Sequence, residues 1–338
     1  MKIILRIILL SIFLYSCSNH KKDLDIFKYD TEVIAVFTPR GIGDQSSAGL
    51  LYSGMIAATD SLGISFRPII PKTYEEGAET IAQLAAGNEK GRRRLLISTD
   101  PEYSDHLRNL ANEGRIVDSD STKLLVFDGD FTHPDIYTAH VPFYGMMYKA
   151  GYVASKMSDV KNVRIYIAND KYRYIREGKN GFIDGFSLNK ASQTDVVDFS
   201  LINDDNTEGF EKSTPAYVYY AAECTDVYDM VLPICGETAM GFLRYNREFP
   251  GNFYTVGVET DMSAYSPDVP FSCVEHLDRV VSACITDWAN NQLKHHRRFG
   301  LEEKWVELVI SENYKKSLKA AADKIHAKAV ELEESYER

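Results

Sequence analysis

Four short stretches of the sequence concentrate acids, hydroxyls, glycines and an aromatic in patterns suited to polar recognition. They are Thr38-Pro39-Arg40-Gly41-Ile42-Gly43-Asp44-Gln45-Ser46-Ser47, Thr99-Asp100-Pro101-Glu102-Tyr103, Cys235-Gly236-Glu237-Thr238 and Glu259-Thr260-Asp261-Met262. Carboxylates accept paired hydrogen bonds from hydroxyls and amines, and glycines admit close backbone approach. The free N–H groups that open a helix favour an anion or a hydroxyl. Asp44 or Ser46 would serve equally well as the N-cap of the helix that follows, a role that needs no ligand. Gly41 and Gly43 lack the third glycine of a dinucleotide fingerprint, and no Lys-Ser/Thr pair completes a phosphate loop.

Catalytic patterns are missing from the chain. It has no GxSxG elbow, no HExxH, and no Cys/His pair at a diagnostic spacing. Glu259 and Asp261 would supply two acids, but alternate residues of an extended segment point to opposite faces. An enzyme is therefore not expected, and neither is a metal or a cofactor.

The elements that must carry these loops alternate along the chain. Val33–Phe37, Ser65–Ile70, Leu95–Ser98 and Lys123–Asp128 read as strands, and Ala48–Leu62, Tyr74–Ala86 and Glu102–Asn112 as helices. The pattern restarts with helices Phe143–Met157, Asn180–Lys190, Thr214–Cys224 and Thr238–Phe249. Between them lie strands Val163–Ala168, Val196–Leu201, Met230–Ile234 and Tyr254–Val258. Pro270–Glu275 follows as a strand, Leu277–Leu293 as a helix, and Ser311–Arg338 as a charged helix with Ile325, Ala329 and Leu332 turned inward. Two successive βα arrays predict an α/β protein with two Rossmann-like lobes of parallel sheet. The four loops then meet at the carboxyl ends of the strands, where open sheets bind ligands.

Composition narrows the partners. Lys2 and Arg6, the apolar run Ile7–Tyr15 and Ser16 before Cys17 have the form of a secretory signal too short to span a bilayer. Leu14-Tyr15-Ser16-Cys17 resembles a lipobox, so residues 1–16 are expected to be removed and Cys17 to carry a lipid, palmitate among its acyl chains. Residues 17–30 read as a polar tether. Removing Lys2 and Arg6 from the 38 basic residues leaves 36 against 49 acidic ones, a net charge of −13. Such a surface argues against nucleic acid as a partner. The clusters Arg92-Arg93-Arg94 and His295-His296-Arg297-Arg298 read as solvated faces. Cys224, Cys235, Cys273 and Cys284 are expected to be buried thiols, with one disulfide left open.

The loops, taken in order, resemble those of the basic membrane protein family. Its members are nucleoside-binding lipoproteins of ABC importers with the type 1 periplasmic-binding fold. The resemblance is carried by IAVFTPRGIGDQSSAGLLYSGMIAATDSLG (Ile34–Gly63), LLISTDPEYSD (Leu95–Asp105), YKAGYVASKM (Tyr148–Met157), GFIDGF (Gly181–Phe186), DMVLPICGETAMG (Asp229–Gly241) and VGVETDMSAYSPDVPFS (Val256–Ser272). It implies a small polar solute, of the purine nucleoside kind, held between the lobes, with an ABC permease or membrane receptor as partner. The protein would be a monomer anchored to an envelope membrane and facing the periplasm. Asp44, Gln45, Ser46, Asp100, Tyr103, Tyr144, Gly236, Glu237 and Asp261 are the expected ligand contacts, although packing explains the tyrosines equally well. Several positions depart from the family: Gln45 stands for its lysine, Ser47 for its aromatic, Ala48 for its asparagine, Glu259 for an aspartate, and Met262 for a glutamine. Glu275 stands where a lysine usually lies near the ligand.

The expected lobes are residues 31–135 with 263–295 and 136–262 with 296–338. A ligand sensor without a transport role, or a hydrolase of exported glycans or nucleosides, would be the alternatives.

Overall fold

The computed structural model describes residues 30–43, 47–88, 91–129, 131–189, 193–201 and 208–336. Cys17, the signal, almost all of the tether, and Asp44, Gln45 and Ser46 lie outside the described residues. The first sheet runs in the order β12-β5-β4-β3-β1-β2, all strands parallel. Its strands are β1 (Thr31–Val36), β2 (Ser65–Ile69), β3 (Arg93–Ser98), β4 (Thr122–Phe127), β5 (Tyr137–His140) and β12 (His296–Arg298). Val33 to Val36 are fully buried because helices cover both faces, and a continuous apolar run suits a parallel strand of that kind. Helix Ser47–Leu62 ends at Gly63, whose φ of +64° allows the chain to reverse into β2.

The second lobe contains two sheets, β7-β6-β8-β9 and β10-β11-β13. Their strands are β6 (Asn162–Ile167), β7 (Gln193–Asp198), β8 (Met230–Ile234), β9 (Tyr254–Thr255), β10 (Gly257–Glu259), β11 (Phe271–Glu275) and β13 (Val306–Ile310). The Val256 N–H still bonds to Val231 O at 2.9 Å, so β9 and β10 form one extended run that joins the sheets. Among the described strands, β13 alone runs antiparallel, against β11.

Two helices, Tyr144–Ala154 and Arg173–Phe186, pack with unusually close backbones. A Cβ placed on Gly185 would stand 2.0 Å from Tyr148 O, and one on Gly151 would stand 2.2 Å from Phe182 O. The C-terminal helix Lys315–Tyr336 lies against the first of these helices, with Ala329 buried and Ile325 and Leu332 partly so.

Strand pairing shifts the lobe limits expected at residues 135, 262 and 295. Tyr137–His140 and His296–Arg298 belong to the first sheet, whereas Phe271–Glu275 belongs to the second. The chain therefore crosses between lobes near residues 141–143, at His276, and near residues 299–305. Glu177 accepts the Phe143 N–H at 3.0 Å at the first crossing, and Glu333 accepts the Leu301 N–H at 2.9 Å at the third.

The two basic clusters are not simply solvated. Arg94 forms a buried ion pair with Glu32 at 2.6 Å, and Arg93 donates to the carbonyls of Trp288 and Ala289 while lying over the Trp288 ring. The His295 carbonyl accepts from Thr138 N, and Arg297 lies over Phe299. Paired neighbours make a basic run compatible with burial, which composition alone does not disclose. All four described cysteines are buried free thiols.

Candidate functional site

A cavity of about 500 Å³ opens between the lobes, lined from both sheets. The first lobe contributes Thr38, Arg40 and Gly43 after β1, Ser47 and Ala48 from the following helix, and Thr99 and Asp100 after β3. Arg40 organises this wall. Its guanidinium donates to Tyr74 Oη at 2.6 Å and to Glu102 Oε1 at 3.0 Å, and it lies 3.5 Å from Asp100 Oδ2. Burial alone would weaken its charge, but Asp100 and Glu102 more than offset that and hold its pKa above the ordinary value. Burial raises the Glu102 carboxyl even beside Arg40. Asp100 Oδ1 also accepts the Glu102 N–H at 2.9 Å, capping the short turn Pro101–Tyr103.

The second lobe supplies the aromatic and apolar wall, with Tyr174, Phe210, Pro233, Met240, Leu243, Val256, Val258 and Met262, and the acids Glu211, Glu237 and Glu259. Thr238 holds the Phe210 segment in place. Its Oγ1 accepts from Lys212 N at 2.8 Å and donates to Gly209 O at 2.7 Å, while its N–H bonds to Phe210 O at 3.1 Å. Phe210 then reaches across the cleft, with the Arg40 guanidinium carbon 4.8 Å from its ring centroid. A second bridge joins the lobes where Glu259 Oε2 accepts the Ser47 N–H at 2.9 Å, placing a carboxylate at a helix N-terminus. Glu259 holds a φ of +70°, an uncommon state for a side-chain-bearing residue that tends to persist where surroundings enforce it. Among the described lining residues, Arg40 is the sole basic side chain.

The expected contacts divide sharply. Asp100, Gly236 and Glu237 line the cavity, while Asp44, Gln45 and Ser46 fall outside the described residues. Tyr103 is fully buried beneath the first sheet and donates to Phe37 O at 2.6 Å, because the short helical turn after Asp100 points it back onto the sheet. Tyr144 is turned away from the cleft too. Its hydroxyl donates to Asp184 at 2.6 Å and its ring stacks on Tyr336 at 4.0 Å. Asp261 is exposed and caps a turn by accepting the Ser263 N–H at 3.0 Å, while its neighbours Glu259 and Met262 face the cavity. Sequence reasoning passed over Tyr174 and Phe210 altogether. Tyr174 sits in the first turn of the helix after β6, where the rule of strand carboxyl ends would have found it.

Residues 31–335 match the Bmp family, described as ABC transporter substrate-binding protein PnrA-like. The chain belongs to this family. Bmp proteins are solute-binding proteins of ABC systems, not enzymes. The chain is similar to Basic membrane protein C of Borreliella burgdorferi, being 23% identical over 304 residues that cover 85% of this chain and 81% of that protein. In fold it is similar to an ABC transporter solute-binding protein from Aeropyrum pernix, with a TM-score of 0.68, 15% identity, and coverage of 90% and 85%. It is also similar to a transcriptional activator of the comK gene from Bacillus halodurans, with a TM-score of 0.67, 14% identity, and coverage of 87% and 97%.

Proposed function

We propose that this Bmp-family protein binds a small polyhydroxylated solute of the nucleoside kind in the interlobe cavity and presents it to an ABC permease, anchored by a lipid on Cys17. The observation that carries the reading is one cavity, about 500 Å³ in volume, with Asp100, Glu237 and Glu259 on its walls and Tyr174 and Phe210 beside them. That volume lies in the usual range for small-solute pockets. The carboxylates suit hydroxyl pairs, and the aromatic faces suit a flat base. Glu211, Glu237, Glu259 and Asp100 against one arginine disfavour a phosphorylated ligand. Hinge motion about the three crossings would open the cleft, and the Arg40–Phe210 and Ser47–Glu259 bridges belong to the closed form.

Calorimetric titration of the full chain in detergent with nucleosides, their monophosphates and sugars tests this reading. A nucleoside is expected to bind at least about 100-fold more tightly than its monophosphate. Equal binding of the two, or no heat from any polyhydroxylated solute, would overturn it. Metabolic labelling with palmitate tests the anchor, and a Cys17→Ser variant that still carries label would remove it.

A further inference from the structure

Beyond the main cavity, behind Tyr174 and Gly236, the structure contains a small inner chamber. Phe143, Tyr174, Ile234, Val258, Glu259 and Glu275 line it, and its free space is about 10 Å³, the room of one water or one ammonium head. Glu275 is only 9% exposed. Among the described residues its carboxylate has no hydrogen-bond or ion-pair partner, although it faces the chamber. Burial, reinforced by Glu259, Asp128 and Glu177 and opposed by His140, pushes the carboxyl well above the usual range.

A carboxylate buried without a partner is costly, and an incoming cation offsets that cost. Glu259 faces the same chamber from β10, and the Phe143 and Tyr174 rings border it. Two carboxylates and two aromatic rings around a space of this size form a receptor for a primary ammonium group, through charge-assisted hydrogen bonds and ring faces. A metal ion suits the chamber poorly. Among the described residues, no group of three or more His, Cys, Asp or Glu is arranged to hold one.

We infer that the solute recognised in the cleft carries a protonated amine, which enters the inner chamber and is held between Glu275 and Glu259. This inference rests on the proposed solute-binding reading and names the charge of the solute. The rest of the ligand occupies the larger cavity, where Asp100 and Glu237 meet its hydroxyls.

The test compares glucosamine with glucose, and an aminonucleoside with its parent nucleoside, by calorimetry on the full chain in detergent. Methylammonium chloride against sodium chloride in a thermal melt probes the chamber alone. The amine of at least one pair is expected to bind about tenfold or more tightly than its neutral partner, and methylammonium to raise the melting temperature. Glu275→Gln should abolish both effects, in a protein that still unfolds cooperatively in urea. Glu275→Lys, which reverses the charge, should do the same, so either variant suffices if the other fails to fold. Equal binding of amine and neutral solute in the unaltered protein would overturn this inference and leave the solute-binding reading intact. If no member of either pair binds and methylammonium has no effect, both fall.

Discussion

On the first-sheet wall of the cleft, Arg40 lies against both Asp100 and Glu102. Among the described residues, the second-sheet wall contributes Glu211, Glu237 and Glu259 to the lining and no basic side chain. The walls also differ in how they are held. The first depends on loops capped at helix N-termini. The second stands in part on helix Arg173–Phe186, which is seated against its neighbour by glycines with no room for a methyl group. The first wall is thus largely settled within itself, whereas the second is rigid in backbone and carries the negative charge that a solute would meet.

The largest test of that contrast is Gly185→Ala. The added carbon would meet a backbone oxygen that cannot rotate away, so stability should fall by about 3 kcal/mol, measured by urea unfolding. A loss under about 0.5 kcal/mol would show that the second wall is not held by this seam. Next is Glu259→Gln, which keeps the shape but removes the charge facing both the solute and the Ser47 N–H. Affinity for a bound solute is expected to fall by about 2 kcal/mol, roughly thirtyfold, in calorimetry.

A smaller effect concerns pH. Because burial and neighbouring acids raise Glu275 in the folded protein, the fold keeps a proton that the unfolded chain releases above about pH 4.3. Its contribution is complete below that value and is lost as pH rises toward the folded pKa, with a slope approaching 1.4 kcal/mol per pH unit for one proton. Thermal melts of unliganded Glu275→Gln should lack this decline, with Glu259, Asp128, Glu177 and His140 unchanged. Parallel profiles of the two proteins would refute the assignment. The smallest effect is expected from Asp100→Asn. Arg40 keeps Glu102 as a partner and the amide oxygen can still cap the turn, so affinity should change less than about threefold. A larger loss would show that the charge of Asp100, and not only its hydrogen-bonding oxygen, holds a solute hydroxyl.

Much of this architecture is legible in the amino-acid pattern, and the exceptions have physical causes. Helix Tyr74–Ala86 lies where its periodicity predicts. Helix Arg173–Phe186 begins seven residues before the expected Asn180, since its first two turns bury Glu177 and Gly178 beside the single apolar residue Ile175. Strands β5 and β12 were hidden because Tyr137-Thr138-Ala139-His140 and His296-Arg297-Arg298 lack the apolar run of a buried strand, and only their pairing makes them sheet. The loops that form the site were identifiable, since parallel strands deliver their carboxyl ends to one edge. Which side chain of each loop turns inward was not. That choice is made by a helical turn at Tyr103 and a positive φ at Glu259, and neither leaves a mark in composition.

The interleaved chain path has a further consequence for how the molecule is assembled. The first sheet lacks its edge strand until residues 296–298 arrive, and the second lacks its edge strand until residues 306–310 arrive. Each half therefore receives its last edge strand only when nearly the whole chain is available.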